Sequence, residues 1–208
     1  SIEADMLFVV GSDAINSATT PAEALACLKG VFPAIEMAAI GTSTVNEATG
    51  PLAPPVAGQL NGQGILEVTN IAARMFLRPK HYVPIQNSSR SLASWEAILN
   101  GGLAVNDTLV VTTGPAVTGS VPPPATPHLT NLLKLISLLH ANGHSLKVGD
   151  IVSPGTAINL KLLSTTNPPL SYSTTFVNLD PEGSVTLGLT FNEDGKCFGC
   201  NDGKKPRR

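Results

Sequence analysis

The stretch Ser1-Ile2-Glu3-Ala4-Asp5-Met6-Leu7-Phe8-Val9-Val10-Gly11 decides how the rest of the chain is read. It is short, rich in β-branched and aromatic residues in its second half, and bounded by Gly11-Ser12-Asp13, so it is predicted to be a β-strand. Side chains alternate between the faces of a strand. Ile2, Ala4, Met6, Phe8 and Val10 therefore share one apolar face, and Glu3, Asp5, Leu7 and Val9 share the other. Two carboxylates stand side by side on a strand that is otherwise fit for burial, where like charges repel and burial worsens the repulsion. Either the strand end is solvated, or a cation sits between the acids. A divalent cation requires at least one more acidic ligand.

Working outward, Thr20-Pro21-Ala22-Glu23 has the form of a capped helix start, and that helix is expected to stop near Gly30. Val31-Phe32-Pro33-Ala34-Ile35-Glu36-Met37-Ala38-Ala39-Ile40 reads as a second apolar strand carrying one acid, Glu36. Residues 41–64 read as a long loop and 64–70 as a short strand. Asn100-Gly101 is a hairpin signal, expected to join 97–99 to 103–105, with a further strand at 108–113. Thr126-Pro127 opens the longest helix, which ends at Asn142-Gly143. Short strands are expected at 149–152, 172–177 and 184–191.

The 208 residues are expected to form a single catalytic-type domain over 1–208, with 194–208 a cysteine-containing basic tail. Only 13% of residues are charged, against 19 Gly and 17 Pro, which is a loop-rich and β-rich composition. A net charge of −2 gives no reason to expect a nucleic-acid partner, and no apolar run is long enough for a membrane span. The chain opens at Ser1, almost inside a strand, and is read as processed or truncated, with an upstream N-terminal region missing.

The cysteines are Cys27, Cys197 and Cys200. The C-x-x-C of the tail has no second half to complete a zinc site. It is read as a local disulfide or one reaching Cys27, with free thiols as the alternative. Two Asn-x-Ser/Thr sequons, at Asn87 and Asn106, permit glycosylation in a secretory setting. The tail cysteines and the Thr/Asn/Pro-rich, charge-poor composition lean toward secretion, with the cytoplasm as the alternative.

Glu36 supplies the third acid. Glu3, Asp5 and Glu36 are hard oxygen ligands on apolar strands, suited to Mg²⁺ or Mn²⁺ and less specifically to Ca²⁺. No G-x-S-x-G, G-x-G-x-x-G or phosphate loop is present.

Glu3-Ala4-Asp5-Met6-Leu7-Phe8-Val9-Val10-Gly11, followed by Val31–Glu36, resembles the metal-ligand strands of the fumarylacetoacetate hydrolase superfamily. The closer likeness is to its branch of 2-keto-4-pentenoate hydratases and 2-oxo-acid decarboxylases. Thr69-Asn70-Ile71-Ala72-Ala73 resembles the family's A-D-N-A-S segment. Leu146-Lys147-Val148-Gly149-Asp150-Ile151-Val152-Ser153-Pro154-Gly155-Thr156 resembles its L-K-x-G-D-x-x-x-x-G-[ST], and Gly183-Ser184-Val185-Thr186 its terminal G-S-V strand. The resemblance covers most of residues 1–193.

It implies an α+β, mostly β fold of mixed, rolled sheets with flanking helices. It implies a divalent cation, Mg²⁺ or Mn²⁺, on Glu3, Asp5 and Glu36, with Gly155, Thr156 and Asn70 contacting substrate. The implied substrate is a small 2-oxo or 2-hydroxydienoic acid, and the implied activity a lyase or hydratase working through a cation-stabilised enolate. An acylpyruvate-type C–C hydrolase, or an idle relative that binds without catalysis, are the alternatives. The family's members are usually dimers or larger, so a homo-oligomer is expected. In the departures, Asp5 stands where the family has Glu, and Met37-Ala38-Ala39-Ile40 lacks the acid and arginine usual after the third ligand. The lysine used upstream by the hydratases is not present. His81 is then the candidate acid or base. His140, His144 and Arg74 are read as structural or surface residues.

Overall fold

The computed structural model describes residues 2–40, 45–46, 50–51, 71–77, 81–121, 127–158 and 167–191. Strand β1 (Ile2–Val10) is followed by a 3-10 turn at Asp13–Ser17, helix α1 (Pro21–Ala26) and the long strand β2 (Leu28–Ile40). Then come the short strands β3 (Val45–Asn46) and β4 (Gly50–Pro51), followed by β5 (Ile71–Leu77), β6 (Val83–Pro84) and helix α2 (Leu92–Leu99). The remainder comprises β7 (Ala104–Val111), β8 (Val117–Val121), α3 (His128–Ala141), β9 (Ile151–Val152), β10 (Pro169–Asp180) and β11 (Gly183–Thr190).

These strands form two main sheets, ordered β5-β2-β1-β9 with β6 also on β2, and β11-β10-β7-β8. Every pairing among the described strands is antiparallel. The α+β, mostly β class expected from the sequence is therefore the class observed.

The alternation in β1 organises the core. Ile2, Ala4, Met6, Phe8 and Val10 are all fully buried. The last four pack in one cluster with Leu25 of α1, Trp95 and Leu99 of α2, Leu129, Leu132 and Ile136 of α3, and Val105, Phe176 and Val185 of the second sheet. Helices and second sheet thus meet on the even-numbered face of β1, leaving the acids of the odd-numbered face on the other side. Burying each large apolar side chain is worth about 1.5–3 kcal/mol, so this face holds the layers together. His128 also lies inside, with its ring edge-on to Phe8 at 6.4 Å between centroids, and burial pushes its pKa down to about 4.

Residues 92–99 correct the sequence reading. The expected hairpin around Asn100-Gly101 is a helix end, with Ser91 capping α2 by accepting the Ser94 N–H. Leu92, Trp95, Glu96 and Leu99 fall at helical spacing, and burial of Trp95 and Leu99 decides for the helix. Gly101, at φ +119, turns the chain into β7. The long helix forms where expected, but the helix expected to run to near Gly30 ends at Ala26, and Leu28-Lys29-Gly30 open β2, where Leu28 pairs with Val10. In α1, Thr20 and Glu23 complete a reciprocal capping box. The segments 41–44, 52–70 and 192–208, which include the strand expected at 64–70 and the pair Cys197 and Cys200, lie outside the described residues. Cys27 is buried, and among the described residues it is a free thiol.

Candidate functional site

The second half of the family-like motif explains itself physically. Leu146 is buried, and the Asn16 side chain holds it from both sides, donating to its carbonyl (2.7 Å) and accepting from its N–H (2.9 Å). Gly149, at φ +92, makes a tight turn, and Asp150 closes it by accepting the Lys147 N–H (2.8 Å). The Val10 N–H donates to the Asp150 carbonyl and the Gly149 N–H to the Val10 carbonyl, both at 2.9 Å. The turn is thereby fastened to the end of β1. From there β9 runs antiparallel along β1, and the chain continues past it to pair Thr156 with Asp5. The Ala157 N–H donates to the Ala4 carbonyl at 2.9 Å. Ser153, Gly155 and Thr156 are delivered in this way to the edge of the acid-bearing strand.

On the other edge of β1 the register sets Glu3 directly opposite Glu36, and Asp5 opposite Ala34. Directly opposed side chains share a face, with Cβ atoms roughly 4.5–5.5 Å apart. The three acids expected from the sequence to act together are thus brought onto one face of two adjacent strands. Asp5 is fully buried, Glu36 is 3% exposed and Glu3 is half-buried.

Hydroxyls surround them. Ser153 Oγ donates to Asp5 Oδ2 (2.8 Å), and the Met6 N–H donates to Asp5 Oδ1 (2.6 Å). Thr156 Oγ1 donates to Glu3 Oε2. Burial pushes the pKa of Asp5 up to about 8, against the opposing hydrogen bond from Ser153 and with a further upward push from Glu36, to which Asp5 is hydrogen-bonded. Asp5 therefore holds its proton more tightly than an exposed carboxyl does.

Among the described residues, no three His, Cys, Asp or Glu side chains stand in a ready-made metal-holding arrangement. The donor set itself fits a hard divalent cation, being all oxygen with two hydroxyls beside it. Entry of a cation has to expel the proton.

The raised pKa of Asp5 has a consequence for stability. In the unfolded chain the group titrates near 3.8, and in the fold near 8. Between these values the folded state holds more protons, so stability falls as pH rises through this window. Urea unfolding in EDTA is expected to show the parent less stable at pH 8.5 than at pH 5. The Asp5→Asn variant should lose most of this slope. An equal slope in both proteins would refute the assignment.

The other residues singled out from sequence are placed as follows. Gly155 adopts φ +118, in the left-handed region that favours glycine, and sits next to Thr156 as expected. Asn70 lies outside the described residues. His81 is half exposed, and its Nε2 is bonded to Asp180 Oδ2 at 2.6 Å, at the β10–β11 turn. His81 is therefore paired with Asp180 at that turn. Arg90 braces the same turn, donating to the carbonyls of Asn178, Leu179 and Asp180 while its guanidinium lies over Trp95.

Two features escaped sequence reasoning. Ser153 stood inside the quoted motif, but nothing local showed that its hydroxyl reaches Asp5. Tyr172 is fully buried and donates to buried Asp107 at 2.9 Å. Its pKa is driven upward by burial first, and then by the charges of Asp107 and Glu3.

No family model and no curated protein sequence matches the chain. In three dimensions it is similar to 4-oxalocrotonate decarboxylase from Pseudomonas putida G7, seen in one structure complexed with magnesium and adipate and in another with calcium and acetate. Each comparison has a TM-score of 0.51 at 16% identity over 89% of this chain. The matched part is 58% and 57% of the solved chains, so this chain spans little more than half their length. The likeness shows the fold, and it is the fold expected from the resemblance to the fumarylacetoacetate hydrolase superfamily.

Proposed function

We propose that this chain binds a divalent cation, Mg²⁺ or Mn²⁺, through Glu3, Asp5 and Glu36, and acts as a lyase or hydratase on a small 2-oxo or 2-hydroxydienoic acid. The observation that carries this reading is the convergence of the three carboxylates on one face of β1 and β2, beside the hydroxyls of Ser153 and Thr156 and the Gly155 turn. Support comes also from the similar decarboxylase, whose structures hold magnesium or calcium together with a carboxylic acid.

When bound, the cation supplies Lewis-acid stabilisation of negative charge developing on the substrate's 2-oxygen. The chain's own part is to bind and orient. We assign the substrate carboxylate to the Gly155–Thr156 turn at the edge of β1, where the Gly155 N–H donates to Ser153 Oγ and the Thr156 hydroxyl to Glu3 in the free protein. The burial of Asp5 and Glu36 away from water puts them in surroundings where such charge interactions are strengthened.

A second reading, a relative that binds a cation or an acid without turnover, is favoured by one observation. His81, the candidate acid or base, is engaged with Asp180 at the β10–β11 turn.

The first test is the melting temperature in EDTA, in Mg²⁺, and in Mg²⁺ with oxalate, a chelating mimic of the substrate. A ligand at about 100 times its dissociation constant stabilises by roughly 2.7 kcal/mol. A rise with Mg²⁺ and a further rise with oxalate are expected. No rise with either would overturn the cation reading. Turnover of 2-oxo acids by a protein that shows both rises separates the enzyme from the idle relative.

A further inference from the structure

We propose that Ser153 is a positioning residue that couples the cation-holding acids to the turn that receives the substrate's carboxylate. This inference rests on the function proposed above.

The geometry is a two-ended hydroxyl. Ser153 Oγ gives its single proton to Asp5 Oδ2 at 2.8 Å. The same oxygen accepts the Gly155 N–H at 3.3 Å. Asp5 is held at its other oxygen by the Met6 N–H at 2.6 Å. Each carboxylate oxygen thus has one anchor from outside the acid cluster, and the plane of the carboxylate is set. An ionised carboxylate offers about four acceptor positions, so each oxygen keeps capacity for a cation. At the other end, the bond from Gly155 orients the N–H of a residue at φ +118, the same amide assigned to the substrate's carboxylate.

The hydroxyl is therefore the bridge between the two halves of the site. A shift of Asp5 toward a cation moves the acceptor of the Gly155 N–H, and a ligand on that N–H acts back on Asp5. Coupling of this kind is reciprocal. Thr156, one residue on, donates to Glu3 and so ties a second acid to the same turn. Ser153 differs in touching both an acid and the backbone donor.

The test measures Mg²⁺ binding by calorimetry, and oxalate binding at saturating Mg²⁺, in the parent, Ser153→Ala and Ser153→Thr. Loss of an outer partner of a ligating carboxylate costs on the order of 10-fold in metal affinity. Ser153→Ala is expected to weaken Mg²⁺ by about 10-fold and to weaken oxalate as well, while Ser153→Thr, which keeps the hydroxyl, restores both. A purely structural serine would lower the melting temperature and leave both affinities in place. Ser153→Ala binding Mg²⁺ and oxalate as the parent does would overturn the inference alone. A parent that binds no cation would overturn the proposed function and this inference together. If Ser153→Ala does not fold, Ser153→Cys, of similar shape but with a weak donor, is expected to show the same losses, and parental affinities in it would overturn the inference.

Discussion

Replacing Glu36 by glutamine is expected to abolish measurable Mg²⁺ binding and leave the protein folded. Glu36 sits opposite Glu3 in the β1–β2 register and shares a hydrogen bond with Asp5. Of the three acids it is the one contributed by a different strand, so its loss removes one whole side of the oxygen set. The remaining pair, Glu3 and Asp5, comes from one strand and embraces a cation from a single direction. Loss of an outer-shell partner alone costs roughly 10–100-fold in affinity, and loss of an anionic ligand should exceed the upper end of that range. Glutamine keeps the volume and the capacity to hydrogen-bond inside a site that is almost fully enclosed, so no cavity is opened. The charge lost is one of several that repel each other there, so stability in EDTA above pH 8 should hold or rise. Calorimetric titration with Mg²⁺, alongside circular dichroism to verify the fold, makes the measurement. Parental affinity in Glu36→Gln would remove Glu36 from the site.

Phe8→Ala is expected to be the most damaging single truncation in β1, at about 3–5 kcal/mol. Phe8 is fully buried, in the cluster that joins β1 to all three helices and to the second sheet. Its removal takes away apolar contact on every one of those sides, and β-sheet backbones on both sides resist collapse into the gap. It also strips the edge-on neighbour from the buried ring of His128. Domains of this kind carry a net stability of about 5–15 kcal/mol, so the variant stands close to the limit of folding at room temperature. Trp95 is the only tryptophan and is fully buried, which makes its fluorescence a direct reporter of urea unfolding. Val9→Ala, on the opposite face and only partly enclosed, should cost far less. Comparable losses at positions 8 and 9 would contradict the division of β1 into a core face and a site face.

That division was legible in the sequence because it is local. Period-two geometry needs only the strand itself, and it puts Ile2, Ala4, Met6, Phe8 and Val10 on the buried core face and both acids on the other. The turn at Gly149-Asp150 was not read, since these residues were expected to open a strand at 149–152; Gly149 takes a positive φ and Asp150 caps the Lys147 amide, so the strand starts only at Ile151. The helix Leu92–Leu99 was not legible. Asn100-Gly101 signals a hairpin as strongly as a helix end, and a run of eight residues fits either period. The choice fell to burial of Trp95 and Leu99 against partners distant in the chain. His81 was taken for a site residue on its chemistry alone, and nothing near it in sequence foretold Asp180, 99 residues away.

By itself, then, the sequence determined which residues share a face, that three acids lie on strands otherwise fit for burial, and that a glycine-bearing turn precedes a hydroxyl. The tertiary structure alone decided that Glu3 meets Glu36, that Asp5 is shut away from water, and that Ser153 reaches Asp5 across 148 residues of chain. The reason is physical. Alternation follows from the backbone of one strand, but register and burial follow from which strand edges pair and which apolar faces close on each other, and those are properties of the whole fold.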